Sequence, residues 1–259
     1  YEPQLPPLGS MILYGVGVDA FFLLFLFVYL FCYLTIFNRW PAHQRSKASS
    51  SLMSLVHGII AAVSSTQALL ETPEASLSSP NTQIHTTIFE FSLGYFITDL
   101  LHYIVFFPKN TIFILHHVAT IYVLFTCSYV VQHGGHGLLV ILFLAEVTSP
   151  LQNVWSILGY RKEESLVAAK LHKLISPPFL GFYSVVRGAL GPIYAAKVVC
   201  FYCGGGGDGF VPKWAWVSWM LIIIVAILVS ILWVNHQWKF VVTHSCNPDE
   251  KKNEWEVKF

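Results

Sequence analysis

Apolar residues follow one another in runs of about 20 residues, and short stretches rich in glycine, proline or charge separate the runs. An α-helix needs about 20 apolar residues to cross a bilayer core of roughly 30 Å. The pattern therefore predicts an all-α polytopic membrane protein with about seven transmembrane helices. The spans are expected at about 11–37, 52–70, 86–107, 111–131, 137–158, 175–203 and 214–240.

Composition supports a membrane protein and excludes other classes. Hydrophobic residues make up 55% of the chain and charged residues 11%, whereas a soluble domain has about 25% charged residues. We expect an N-terminal segment of residues 1–10, one membrane domain over 11–240 and a tail of residues 241–259. A net charge of +1 without a basic aromatic surface argues against nucleic-acid binding. The Cys200-x-x-Cys203 pair lacks further ligands, so we expect no metal there.

The basic residues predict which way the spans point. Lysine and arginine concentrate in cytoplasmic loops, and most of the 15 basic residues fall on one side of a seven-span layout. The tail is therefore expected in the cytosol and Tyr1 in the lumen or exterior. The chain begins without a methionine, and we expect residues to precede Tyr1.

Polar side chains lie inside two neighbouring spans. Span three carries Tyr95, Asp99 and His102 at spacings of four and three, which places them on one helix face. Span four carries the adjacent histidines His116 and His117. A three-residue turn joins the two spans, so these groups are expected at similar depth. Polar groups in hydrocarbon are costly, and this cluster is a candidate site.

Spans five and six carry further polar groups. Glu146, Ser149 and Asn153 form a stripe along span five, and Arg187 lies near the middle of span six. An arginine at this depth needs a partner. We expect an ion pair between Glu146 and Arg187, with Asp99 and Arg187 as the second choice.

The cluster allows several interpretations. An imidazole beside a carboxylate is poised as a base or nucleophile, but intramembrane polar groups also serve as packing contacts between helices. His57 could join the cluster or merely pack. The sequence His133-Gly-Gly-His136 looks like the second histidine box of a di-iron enzyme. It falls on the side opposite His116, so we expect no metal site.

Four segments of the chain form a recognisable pattern: residues 94–103 (Gly-Tyr-Phe-Ile-Thr-Asp-Leu-Leu-His-Tyr), 115–120 (Leu-His-His-Val-Ala-Thr), 146–153 (Glu-Val-Thr-Ser-Pro-Leu-Gln-Asn) and 187–192 (Arg-Gly-Ala-Leu-Gly-Pro). Together they resemble the TLC domain family of eukaryotic endomembranes, which includes the ceramide synthases. The resemblance covers roughly residues 50–240. It implies a bundle around an apolar cavity, in the endoplasmic reticulum or a related membrane.

The resemblance also implies roles for particular residues. In the synthases the paired histidines lie at the acyl-transfer site, which corresponds to His116 and His117, with Asp99 in the accompanying motif. The synthases carry two further acidic positions after these histidines, whereas this chain has only Glu146 in that region. The sequence thus resembles the branch of TLC domain-containing proteins that are not ceramide synthases.

The first functional hypothesis is a protein of lipid homeostasis that binds, senses or transfers an acyl lipid, or a sphingolipid-type ligand, in an intramembrane cavity. The second is an acyltransferase that uses acyl-CoA as co-substrate and no other cofactor, with His116 as nucleophile or base and His117 and Asp99 orienting it. The third is a lipid transporter or escort without chemistry. Self-association into a homo-oligomer is left open. The polar residues expected to line the cavity are Tyr95, His102, Glu146, Asn153 and Arg187.

Overall fold

The computed structural model describes residues 16–246, with side chains up to residue 239. Within this range the chain is helical, apart from loops and an isolated bridge between Pro80 and His133. Seven of its helical stretches are long and apolar enough to cross a membrane, which confirms the predicted spans. The predicted segment 1–10 and the tail beyond residue 246 lie outside the described residues.

The spans are built from nine α-helices and three π-helical turns in the described range. The helices are α1 (Val18–Phe31), α2 (Ala42–Glu71), α3 (Gln83–Phe106), α4 (Thr111–Phe125), α5 (Gly135–Glu146), α6 (Ser149–Arg161), α7 (Leu166–Val185), α8 (Gly191–Cys203) and α9 (Lys213–Cys246). The π-helical turns are Cys32–Ile36, Thr126–Val131 and Val186–Leu190. Span five thus consists of α5 and α6, and span six of α7, a π turn and α8.

Two spans begin earlier than their hydropathy predicts. Helix α2 begins at Ala42 instead of near residue 52, because its serine-rich first turns are buried in spite of their polarity. Helix α7 begins at Leu166 instead of near residue 175, where the side chain of Ser165 caps the helix by accepting from the Ala168 N–H at 3.3 Å. Both extensions place polar residues in helices that hydropathy alone assigns to loops.

Alternate loops meet at one end of the bundle, which we call the basic end. Gln44 Nε2 donates to Glu164 Oε1 at 3.1 Å, which joins the start of α2 to the loop after α6. The Arg161 guanidinium lies 4.9 Å from the centroid of the Trp40 ring. These contacts bring two of the basic loops together, as the alternating direction of the spans requires.

The other three loops meet at the opposite end, which we call the glycine-rich end. Asn81 Nδ2 donates to the Cys127 carbonyl at 2.9 Å, and Asn81 Oδ1 accepts from the Gly135 N–H at 2.8 Å. The Tyr202 hydroxyl donates to the Leu77 carbonyl at 2.8 Å. These bonds join the loop after α2 to the π turn that follows α4, to the start of α5 and to the end of α8.

Helix α3 is the central helix, since its most apolar stretch is 61% buried inside the bundle, more than that of any other described span. Its contact with α1 depends on Gly94, where an added Cβ would lie 2.6 Å from Phe21 Cβ. Phe25 packs against Phe91 and Tyr95 with ring centroids 5.0 and 5.5 Å apart. Asp99 and His102 lie in the half of α3 that is closer to the basic end, among buried neighbours.

A histidine and carboxylate site inside the bundle

Asp99 and His117 form a buried pair between α3 and α4. Asp99 Oδ2 lies 2.8 Å from His117 Nε2, and Ser50 Oγ of α2 donates to Asp99 Oδ1 at 2.6 Å. His117 Nδ1 faces the Phe113 carbonyl of its own helix at 2.6 Å. The expected meeting of spans three and four at this depth is therefore confirmed for Asp99 and His117.

The hydrogen bonds of His117 limit what its ring can do. Its Nδ1 faces a carbonyl, which only accepts, so this nitrogen carries a hydrogen. Its Nε2 faces the Asp99 carboxyl group, and one proton lies between the two groups. Neither nitrogen offers a free lone pair. His117 is a positioned group, and it is not available as a nucleophile while these bonds exist.

His116 has the opposite surroundings. Adjacent residues of an α-helix point about 100° apart, and the exposed His116 ring turns away from Asp99. It contacts the His117 ring at a centroid distance of 5.5 Å and the edge of Phe96 at 6.4 Å. Among the described residues nothing forms a hydrogen bond to the His116 ring. The structure thus provides one fixed imidazole and one free imidazole side by side.

His102 faces α1 instead of the paired histidines. Its Nδ1 lies 3.0 Å from the Tyr29 hydroxyl, and its ring packs against Phe106 and Phe107 with centroid distances of 5.5 and 5.3 Å. It makes no hydrogen bond to Asp99 or His117 in the described structure. His102 and Asp99 lie three residues apart on one face of α3, as expected. The His102 side chain, however, packs at the contact between α1 and α3.

His57, whose role the sequence leaves open, forms a second histidine and carboxylate pair with Glu146. His57 Nδ1 lies 3.5 Å from Glu146 Oε2, and His57 Nε2 lies 3.1 Å from Ser92 Oγ. The imidazole stacks on Tyr95 with centroids 4.0 Å apart and planes inclined by 10°. His57 is completely buried, so it is a structural partner of Glu146 and does not line an open space.

The predicted ion pair between Glu146 and Arg187 is wrong, and so is the second choice with Asp99. Arg187 Nε donates to Thr148 Oγ1 at 3.0 Å, and Arg187 Nη2 donates to the Ala145 carbonyl. No carboxylate of the described residues lies within 4 Å of the guanidinium. The reason is rotational: hydropathy places two residues at one depth, but it does not determine whether their helix faces meet.

The acceptors of Arg187 come from the break between α5 and α6. Pro150 lacks an N–H, so it cannot donate to the carbonyl of Glu146 four residues earlier. Near this break the Ala145 carbonyl also accepts from Thr148 Oγ1 at 3.2 Å. Arg187 thus donates to a backbone carbonyl one residue before the one that Pro150 leaves without its helical partner.

Asn153 and Tyr95 connect to the site through α2. Asn153 Nδ2 donates to Ser54 Oγ at 2.9 Å and to the Ser149 carbonyl at 2.9 Å. The Tyr95 side chain also interacts with Ser54. Ser50, Ser54 and His57 thus form one polar face of α2. Their spacing of four and three residues was the available signal, but the early residues of α2 looked like a loop.

The histidines at the glycine-rich end are separate from this site. The His136 ring faces His85 at a centroid distance of 6.2 Å, and His133 packs near Phe210 at 5.8 Å. Both follow α4 and its π turn, whereas His116 lies near the start of α4. In residues 16–246 no three histidine, cysteine or acidic side chains converge with the geometry of a metal site.

Fold and site define a multi-pass helical membrane protein with polar, histidine-containing contacts between its central spans. Comparison with known proteins identifies the family. The TLC domain model matches residues 47–239. The chain is also 47% identical over 223 residues to TLC domain-containing protein At5g14285 of Arabidopsis thaliana, which covers 85% of this chain and 88% of the relative. The protein therefore belongs to the TLC domain family.

Proposed function

We propose that the protein binds an acyl lipid in a cavity between its helices and thereby contributes to lipid homeostasis. The observation that carries the proposal is the state of His116, whose ring is exposed and makes no hydrogen bond among the described residues. A polar group held inside a membrane without a protein partner favours a polar ligand. The resemblance to endomembrane proteins supports the endoplasmic reticulum as its location, with the basic end in the cytosol.

The surroundings of His116 support a cavity there. Its imidazole interacts electrostatically with Glu146 at the end of α5 and with Arg187 in the π turn of span six. Two further spans thus contribute polar groups near one ring that is still accessible. A neutral imidazole can both donate and accept a hydrogen bond, so it suits the head group of a lipid whose chain lies among apolar side chains.

The test is the retention of acyl lipid by purified protein. Native protein, His116→Ala and His136→Ala are purified in the same detergent, and bound acyl lipids are measured by mass spectrometry after denaturation. His136 is the matched control because it lies at the other end of the bundle. We expect several-fold loss of lipid in His116→Ala only. Equal retention by the three proteins, or no bound lipid in the native protein, would contradict the proposal.

A second candidate function is acyl transfer, and the carboxylate and histidine pair beside His116 is the observation that favours it. A His116 ring nitrogen would attack the thioester carbonyl of an acyl-CoA, and the carbon–sulfur bond would break. The thiolate would take up the proton that the imidazole loses. The acyl-imidazole would then pass the acyl group to an amine or hydroxyl of a lipid acceptor, whose proton would return to the imidazole nitrogen as the carbon–nitrogen bond breaks.

This candidate is tested by the intact mass of the protein after incubation with long-chain acyl-CoA. An acyl-sized increase in the native chain that His116→Ala lacks would establish the covalent step. Absence of both the mass increase and any acylated acceptor would rule it out. Binding without chemistry would then remain as the function that the geometry supports.

A further inference from the structure

Arg187 is a permanent cation inside a membrane span, and its contacts are with neutral groups. Its two hydrogen-bond acceptors are the Thr148 hydroxyl and the Ala145 carbonyl. Its guanidinium lies 5.0 Å from the centroid of the Tyr183 ring, which is also uncharged. A guanidinium in a medium of low dielectric constant favours direct contact with an anion.

The carboxylates nearest to Arg187 have other partners. Asp99 accepts from Ser50 and faces His117. Glu146 lies beside His57, and it interacts with Arg187 only from outside the 4 Å range of an ion pair. Both carboxylates thus have a histidine partner inside the bundle. The protein itself, within residues 16–246, therefore leaves Arg187 without a directly contacting anion.

The Arg187 guanidinium keeps hydrogen-bond donors that its protein partners do not use. The side chain is half-buried, and among the described residues only two of the five N–H donors of the guanidinium have acceptors. His116 and Arg187 are close enough to interact electrostatically. A ligand that binds beside His116 would thus lie near the planar guanidinium of Arg187, which has unused hydrogen-bond donors.

We propose that the bound acyl lipid carries an anionic head group, a carboxylate or a phosphate, and that Arg187 binds it. This inference rests on the proposed function and specifies its ligand. Paired N–H groups of a guanidinium match two oxygens of either anion, and such charge-assisted bonds are about twice as strong as neutral ones. His116, next to it, can donate or accept a further hydrogen bond at the same head group.

The experiment compares three ligands of one chain length in native protein: a long-chain fatty acid, the corresponding fatty alcohol and the corresponding lysophosphatidate. Binding is measured with radiolabelled ligands in an uncharged detergent. We expect the acid, the lysophosphatidate or both to bind at least about tenfold more tightly than the alcohol. The acid alone would indicate a carboxylate ligand, and the lysophosphatidate alone a phosphate ligand.

Two variants assign the preference to Arg187. Arg187→Gln should lower the affinity for the preferred anion about tenfold and change the affinity for the alcohol less than twofold. Lys197→Gln removes a cation of the same span near the glycine-rich end and should change neither. If Arg187→Gln fails to fold, the comparison of both anionic ligands with the alcohol in native protein still decides whether the site prefers an anion. Equal binding of all three ligands overturns this inference alone, whereas binding of none overturns the proposed function as well.

Discussion

Replacing Gly58 by alanine tests how closely α2 packs on the break in span five. A Cβ at this position would lie 2.8 Å from Ser149 Cβ, 3.3 Å from Pro150 Cδ and 3.4 Å from the Glu146 carbonyl oxygen. Two carbon atoms in ordinary contact are about 3.5 to 4.0 Å apart. The added methyl group therefore has to push α2 and the start of α6 apart by roughly 1 Å at the place where Glu146 meets His57.

Two opposing terms set the size of the effect. Overpacking of this kind costs about 1 to 3 kcal/mol, and alanine is better than glycine inside a helix by roughly 1 kcal/mol. Gly58→Ala should therefore lower the free energy of unfolding by about 0 to 2 kcal/mol. Gly181 of α7 is the matched control, since nothing lies within 4 Å of the Cβ that alanine would add. Gly181→Ala should show only the gain of roughly 1 kcal/mol in helix stability.

The assay is thermal unfolding in one detergent, followed by tryptophan fluorescence. The two alanine variants should differ by the overpacking term alone, and each kcal/mol corresponds to about 2 to 4 °C in Tm for a chain of this size. We expect Gly58→Ala to melt below Gly181→Ala and to retain less acyl lipid, because its methyl group displaces the site. A Gly58→Ala variant as stable as Gly181→Ala would refute the close packing.

Two further predictions concern hydrogen bonds inside the bundle. Asp99→Ala should lower the free energy of unfolding by about 3 to 5 kcal/mol, since it leaves His117 buried without its carboxylate. Ser50→Ala should lower it by only about 1 kcal/mol. Equal losses for the two variants in denaturant titrations would contradict the described pair. Trp219 Nε1 donates to Thr126 Oγ1 at 2.8 Å. A double-mutant cycle with Trp219→Phe and Thr126→Val should therefore yield a coupling free energy of about 0.5 to 1.5 kcal/mol. Additive effects of the two substitutions would show that the bond contributes nothing.

The spans were predictable from sequence because length and hydropathy are properties of one helix at a time. The same is true of depth, which is why the short turn between α3 and α4 correctly predicted that Asp99 and His117 lie together. The partner of Arg187 was not predictable in this way. Whether Arg187 meets the Glu146 carboxylate or the Ala145 carbonyl depends on how span five is rotated about its own axis. That rotation is set by the packing of α2 on the break between α5 and α6.

The contribution of α2 to the site was missed for a different reason. Ser50 lies in a serine-rich stretch whose polarity resembles that of a loop, although the helix begins at Ala42. Serine hydroxyls can be buried in a membrane bundle when they bond to a neighbouring helix, as Ser50 does with Asp99. Local polarity therefore underestimates helix length wherever a polar face is turned toward other polar groups.

The π turn Val186–Leu190 has a consequence for the second half of span six. A turn with i to i+5 bonds holds one residue more than an α-helical turn, so it sets the phase of α8 relative to α7. In this phase Ala195, Val198 and Tyr202 face inward, and Tyr202 reaches the Leu77 carbonyl. Loss of a single residue upstream would rotate α8 by about 100° and present a different row of side chains. The additional residue of this π turn, which contains Arg187, therefore sets the rotation at which α7 packs toward the basic end and α8 packs toward the glycine-rich end.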